Sequence, residues 1–160
     1  MSAPDIAPTA ADTAWMSSLG GCFVVFDGPD GSGKSTQFRR FADIARATGL
    51  EVVEVREPGG TAIGEKIRAI LLDPANAEMT TRSEMLLYMA SRAQLYEQRI
   101  APAIASGALV LADRFVSSTL AYQGTAGELT KKRSWRLVRL LLAIIGQTSP
   151  WCLMLILMLL

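Results

Sequence analysis

The chain has little cysteine and no strong charge of either sign, and both deficits exclude whole classes of protein. Cys22 and Cys152 are too far apart for a zinc-binding CxxC motif, and two cysteines do not make a disulfide framework. We expect both to be buried thiols in a reducing cytosol. The formal net charge of the 160 residues is +1, which argues against a nucleic-acid-binding protein and against an acidic scaffold.

The two ends of the chain differ in composition from its middle. The N-terminal stretch MSAPDIAPTAADTAW lacks the basic start and the apolar run of a signal peptide. Residues 131–160 carry five basic residues and no acid, whereas residues 1–130 carry 15 acids and 11 bases. The sequence therefore predicts a disordered leader over 1–20, one domain over 21–125 and an aberrant hydrophobic tail over 126–160.

Strand and helix patterns alternate through the middle of the chain. Short β-rich apolar runs alternate with stretches whose apolar residues recur every three or four positions. This alternation predicts an α/β fold, with a parallel sheet flanked by helices and ligands at the carboxyl ends of its strands. The predicted strands are 22–26, 50–55 and 108–114, and the predicted helices are 34–48, 63–72 and 83–107, the last of them capped near Ser83.

The first predicted strand runs into a glycine-rich loop that matches the pattern GxxxxGK[ST]. In such a loop, backbone N–H groups converge on phosphate oxygens at the positive end of the following helix. Lys34 would neutralise the β- and γ-phosphates, and Ser35 would bind Mg²⁺. An ordinary glycine turn would not need a lysine followed by two hydroxyls. The sequence thus predicts a site for the phosphates of a nucleotide with Mg²⁺, formed by Gly28, Pro29, Asp30, Gly31, Ser32, Gly33, Lys34, Ser35 and Thr36. The loop alone does not distinguish a kinase from a GTPase or a motor ATPase.

Five stretches together resemble one known family. FDGPDGSGKST, REPGGT, GEKIR, LLYMASRAQL and DRFVSSTLAYQG occur in the order and spacing of bacterial thymidylate kinases, over residues 22–125. The resemblance implies a nucleoside-monophosphate kinase fold of the P-loop class and transfer of the ATP γ-phosphoryl group to dTMP, giving dTDP for dTTP biosynthesis. It implies ATP and dTMP as partners and allows a homodimer. We expect a cytoplasmic enzyme with no nucleic-acid partner and no membrane association.

The resemblance also assigns roles to residues before the third strand. Asp30 would bind the sugar 3′-hydroxyl of dTMP, and Arg56 would lie beside the acceptor phosphate on a turn with a cis peptide before its proline. Arg68 would line the same cleft. Tyr88 and Arg92, four residues apart on one helix face, would stack on thymine and donate to its O4. On residue type alone, Arg56 would be a solvated surface arginine, and the Tyr88–Arg92 pair would be ordinary helix surface or cation–π packing.

Further roles fall on the stretch that follows the third strand. Asp113 would hold Mg²⁺ through water, and Arg114 would grip the acceptor phosphate. Thr119 would face the edge of the thymine ring, and Gln123 would contact the base. Tyr122 would lie against the sugar 2′ position and so exclude ribonucleotides, which carry a hydroxyl group there. The alternative for Asp113 and Arg114 is a structural ion pair at a strand end.

Catalysis by this set would consist of in-line positioning and charge neutralisation. The catalytic residues implied are Lys34, Arg114 and Asp30. The family carries further arginines in a lid downstream of AYQG, and this sequence lacks that pattern. We therefore expect the fold to lack the lid and the last strand. Two functions stay open: an active kinase, and a catalytically impaired nucleotide-binding fragment. REPGGT and DRFVSSTLAYQG disfavour other nucleoside-monophosphate kinases.

Three interpretations of the tail compete. The uncharged residues 140–160 could span a membrane, but a polar stretch with a glycine and a proline interrupts them. The tail could be a divergent helix and strand whose lid arginines are lost. The composition break favours the third interpretation, a change of reading frame near residues 126–130 that truncates a kinase.

Overall fold

The computed structural model describes residues 13–28 and 31–114 and the backbone of residues 153–157. Four parallel strands form one sheet in the order β2-β3-β1-β4, with helices packed against it. The strands are β1 (Phe23–Asp27), β2 (Val52–Arg56), β3 (Leu109–Asp113) and β4 (Leu153–Leu157). The helices are α1 (Lys34–Ala47), α2 (Ala62–Leu72), α3 (Thr81–Leu95) and α4 (Ala101–Ala105). The predicted α/β fold with a parallel sheet is confirmed.

The central strands β1 and β3 are buried on both faces of the sheet. All five residues of β1 are buried, so its alternate side chains enter two separate apolar clusters. Val24 and Phe26 pack with Phe38 of α1 on one face, while Phe23 and Val25 pack with the helices on the other. Burying each such side chain contributes about 1.5–3 kcal/mol. Burial on both faces holds β1 and β3 in place, and the candidate site lies at their carboxyl ends.

Helix ends near the site are set by local side chains. Thr61 caps α2 by accepting a hydrogen bond from the Gly64 N–H, and Thr80 caps α3 by accepting one from the Ser83 N–H. The predicted cap at Ser83 is therefore wrong: Ser83 lies inside the helix as a donor, and the cap is three residues earlier.

The helix predicted over 83–107 is in fact interrupted. Helix α3 ends at Leu95, a π-helical turn spans Tyr96–Ile100, and α4 follows. Pro102 explains the interruption, because proline has no N–H and its ring collides with the carbonyl of the residue four positions earlier. π-helical segments are rare and occur mostly as single turns of this kind inside α-helices.

Both chain ends contribute more structure than their composition predicted. Ala14–Leu19 form a 3₁₀-helix inside the segment predicted as a disordered leader. Met16 and Leu19 are buried in the core, and the Trp15 ring lies 6.5 Å from that of Phe41, so apolar contacts hold this helix. In the predicted tail, β4 pairs in parallel with all five residues of β1.

No helix in the described parts of the chain is both long and apolar enough to cross a bilayer.

Candidate active site at the carboxyl ends of the strands

The described part of the glycine loop has the conformation that phosphate binding needs. Gly31 and Gly33 have φ values of 80° and 79°, which only glycine adopts readily. The Gly33 carbonyl accepts hydrogen bonds from the Thr36 and Gln37 N–H groups, so α1 begins directly at Lys34. The first N–H groups of a helix are unpaired within it and attract anions.

Lys34, the first residue of α1, forms an ion pair with Asp113, the last residue of β3. Lys34 Nζ lies 2.6 Å from Asp113 Oδ1, and the Lys34 side chain is only 9% exposed. Parallel pairing places Asp113 beside Phe26, at the carboxyl ends of adjacent strands. The sequence predicted both residues for this site but did not predict that they would bind each other.

The residue after β3 has an unusual backbone. Arg114 has a φ of 67°, the one positive value among non-glycine residues in the described ranges. Its N–H donates to the Phe26 carbonyl at 2.9 Å, which holds it against β1. Non-glycine residues in this region cost free energy and occur preferentially at functional sites.

Two buried polar atoms lie on and beside the loop. Asp27 Oδ1 accepts a hydrogen bond from the Gly28 N–H, but Asp27 Oδ2 and Ser32 Oγ are buried without a hydrogen-bond partner in the described residues. Such atoms are rare in folded proteins because leaving them unpaired costs about 1–3 kcal/mol. They match a loop that completes its hydrogen bonds with a polar ligand.

The turn REPGGT is held by helix α2. The Glu57–Pro58 peptide is cis, as the resemblance implied. Glu65 Oε1 accepts hydrogen bonds from the Gly60 N–H at 2.8 Å and from Arg56 at 3.2 Å. Arg68 donates to the Pro58 carbonyl at 3.0 Å. In this structure Arg68 therefore holds the turn, and its contact with an acceptor nucleotide stays a prediction.

Hydrogen bonds from the same turn also reach helix α3. The Gly59 N–H donates to Ser91 Oγ at 3.1 Å, and Ser91 is buried. Glu57 and Arg92 form a buried ion pair in which Arg92 Nη2 lies 2.6 Å from Glu57 Oε2. Burial raises the pKa of Glu57 above its ordinary value, and Arg92 partly opposes that rise. In contrast, hydrogen bonds from the Gly60 N–H and Arg56 lower the pKa of Glu65.

A cleft of about 810 Å³ connects the loop with the turn. Its lining includes Ser35 of the loop, Arg56 of the turn and Asp113 of β3. Three residues predicted from separate stretches thus share one cavity. Arg39 and Arg99 add two further positive charges to the lining, and Arg99 donates to the Gly60 carbonyl at 3.4 Å.

Few side chains in the described residues are placed to coordinate a metal ion. No group of three or more histidine, cysteine or acidic residues that could hold an ion occurs among the described residues. Ser35 and Asp113 both line the cleft, and their oxygen atoms suit Mg²⁺, which is usually held by one or two protein groups together with water and phosphate oxygens. The residues present therefore fit Mg²⁺ brought in with a nucleotide.

The remaining predicted site residues divide into two groups. Tyr88 is half-buried on α3, one turn before the buried Arg92. Five others lie outside the described residues, and their roles stay predictions: Pro29, Asp30, Thr119, Tyr122 and Gln123. Sequence reasoning missed the parts played by Glu57, Glu65 and Ser91. Glu57 lies in REPGGT, but its partner Arg92 is 35 positions away and no local pattern connects the two.

A glycine loop that opens a helix, with a lysine and an aspartate meeting at adjacent strand ends, defines a nucleotide-phosphate-binding α/β protein of the P-loop class. The comparison with family models is more specific, because the model described as thymidylate kinase matches residues 26–146. The chain belongs to the thymidylate kinase family.

Similar proteins include several bacterial thymidylate kinases. The chain is 52% identical over 106 residues to one from Exiguobacterium sp., covering 66% of this chain and 50% of that protein. It is 48% identical over 130 residues to one from Geobacter sulfurreducens, covering 81% of this chain and 60% of the other. The crystal structure of the Ehrlichia chaffeensis thymidylate kinase is similar with a TM-score of 0.68 at 32% identity, covering 84% of this chain and 75% of that one. The chain thus spans about half the length of the first of these relatives.

Proposed function

We propose that the chain is an ATP-dependent dTMP kinase, which transfers the γ-phosphoryl group of ATP to dTMP and gives dTDP. The observation that carries the proposal is the ion pair between Lys34, at the start of α1, and Asp113, at the end of β3, whose atoms lie 2.6 Å apart. Asp113 also lines the cleft, together with Ser35 and Arg56. The thymidylate kinases to which the chain is similar support dTMP as the acceptor.

The donor side of the mechanism rests on the glycine loop. The N–H groups at the start of α1 would bind the phosphates of ATP, and Lys34 would turn from Asp113 to the β- and γ-phosphates. Ser35 and Asp113 would hold Mg²⁺, which neutralises charge on the phosphate oxygens when bound. Releasing Lys34 also frees the Asp113 carboxylate for the ion.

The acceptor side rests on the turn and on α3. Arg56 has an exposed side chain that is free to leave Glu65 for the phosphate of dTMP, where a guanidinium can bind two oxygens at once. Arg92 would donate to thymine O4, and Tyr88 would stack on the ring. Asp30, Arg114, Thr119, Tyr122 and Gln123 complete the proposed set around the sugar, phosphate and base.

The test is turnover by the 160-residue chain. ADP release should require both dTMP and Mg²⁺ and should vanish in Lys34→Ala. Binding of ATP and dTMP without any release of ADP would assign the chain to the alternative function, a nucleotide-binding fragment. Failure to bind either nucleotide would refute both functions. Cytoplasmic location and assembly as a homodimer stay predictions.

A further inference from the structure

We propose that Glu57 is a positioning residue that sets acceptor-base specificity by fixing the guanidinium of Arg92. The inference deepens the proposed function and rests on it, because it concerns how Arg92 is prepared to select among pyrimidine bases. Glu57 itself does not have to touch the nucleotide.

The contact geometry fixes the plane of the Arg92 guanidinium. Arg92 Nε lies 2.9 Å from Glu57 Oε1 and 2.7 Å from Glu57 Oε2, and Arg92 Nη2 lies 2.6 Å from Oε2. A carboxylate that binds the Nε and Nη2 edge leaves the Nη1 edge pointing away from itself. Nη1 lies 3.9 Å from Met89 Sδ.

Burial makes the pair difficult to rearrange. The side chains of Arg92 and Glu57 are 2% and 5% exposed, so water cannot readily replace either partner. A buried charged group that loses a counter-ion in direct contact with it is strongly disfavoured. Arg92 is therefore held in one orientation before any nucleotide arrives, which is the condition for a donor to discriminate between ligands.

The backbone that carries Glu57 is anchored to the helix that carries Arg92. The Gly59 N–H bonds Ser91 Oγ at 3.1 Å, and Ser91 is the residue before Arg92. The turn therefore contacts α3 at two consecutive residues, once through its backbone and once through Glu57. Arg56 lies directly before Glu57 on the same turn. One short segment thus connects the proposed phosphate contact with the proposed base contact.

The chemical consequence concerns O4 of the base. Thymine presents a carbonyl oxygen at this position and cytosine presents an amine, so an N–H donor held there favours thymine. A guanidinium that can turn, or whose edge is displaced, loses that preference even though its charge remains. Displacement of a positioned group by about 1 Å can cost on the order of 100-fold in related settings.

The experiment measures nucleotide binding by the 160-residue chain with isothermal titration calorimetry. The ligands are dTMP, dCMP and ATP with Mg²⁺, and ATP binding reports that the fold is intact. Glu57→Gln keeps the size of the side chain and removes its charge, while Glu57→Asp keeps the charge and retracts it. Asp43→Asn is the matched control, because it removes a carboxylate from the exposed ion pair between Asp43 and Arg46 on α1.

We expect Glu57→Gln to reduce the dTMP over dCMP preference by about 10-fold to 100-fold while ATP affinity stays within about twofold of the wild type. Glu57→Asp should give an intermediate preference, and Asp43→Asn should leave it unchanged. A Glu57→Gln protein that binds ATP and retains the full preference would overturn the inference alone. A wild-type chain without any dTMP preference would refute the proposed function as well. Loss of ATP binding in both Glu57 variants would assign Glu57 to folding and also overturn the inference.

Discussion

Gly64 lies in the first turn of α2, where its α-carbon faces the REPGGT turn at close range. A Cβ added there would lie 2.8 Å from the Gly59 carbonyl oxygen and 2.8 Å from Thr61 Oγ1. Neither neighbour can move freely, because one is backbone and the other caps the helix. We therefore expect Gly64→Ala to destabilise the protein, although alanine is normally the better helix former.

The size of the effect follows from three opposing contributions. Helix propensity favours alanine by about 1 kcal/mol. Forcing an extra methyl group into a packed contact costs about 1–3 kcal/mol, and disturbing the Thr61 cap costs about 1 kcal/mol. The net expectation is a loss of about 1–3 kcal/mol in the free energy of unfolding.

The same change should weaken acceptor binding more than ATP binding. Displacing Gly59 disturbs its hydrogen bond to Ser91 and hence the turn that carries Arg56 and Glu57. Urea unfolding gives the stability, and calorimetry gives the affinities for dTMP and ATP. Lys66→Ala, an exposed change on the same helix, is the control. A Gly64→Ala protein as stable as the wild type would refute the close approach between α2 and the turn.

Three further predictions follow from the ion pairs. Arg92→Met should lower the free energy of unfolding by roughly 3–5 kcal/mol, because it leaves Glu57 buried without a counter-ion; a urea midpoint equal to that of the wild type would contradict this. Burial raises the pKa of Glu57 above its ordinary 4.5, so its contribution to stability is complete below pH 4.5 and is lost as pH rises through the folded-state pKa. Hydrogen bonds lower the pKa of Glu65, so its contribution is present above pH 4.5 and is lost as pH falls through the folded-state pKa. The free energy of unfolding of the wild type, measured relative to that of Glu57→Gln, should therefore fall as pH rises. Measured relative to that of Glu65→Gln, it should increase as pH rises. Slopes of the opposite sign would refute the two pKa assignments. Asp113→Asn should weaken the Mg²⁺ dependence of ATP binding in calorimetry, and an unchanged dependence would remove Asp113 from the metal site.

The parts of the fold that the sequence predicted are those specified by adjacent residues. β1 is a short apolar run that ends at a glycine loop, and α1 begins at Lys34 as the loop pattern requires. The place of Asp113 at the end of β3 was likewise expected. Each of these features has its cause within a few positions of itself. The cis peptide before Pro58 was implied by the family resemblance and not by a local pattern.

The features that the sequence did not predict depend on contacts between distant residues. Glu57 and Arg92 are 35 positions apart, and a glutamate in a polar turn looks like a solvated charge until the fold buries it. Trp15, Met16 and Leu19 form an ordered 3₁₀-helix only because Phe38 and Phe41 of α1 offer apolar surface. A strand in the tail was one of its three interpretations, but the parallel pairing of β4 with β1 depends on residues far apart in the chain and was not predicted.

The most direct test of the proposed function offers the chain a choice of acceptor. The 160-residue protein is incubated with ATP, Mg²⁺ and an equal mixture of dTMP and dCMP, and the diphosphate products are identified by mass spectrometry. The Lys34→Ala variant, which removes the lysine of the loop, is the blank. Our account predicts that dTDP forms in clear excess over dCDP and that neither forms in the blank. Equal amounts of the two products, or products that persist in Lys34→Ala, would contradict it.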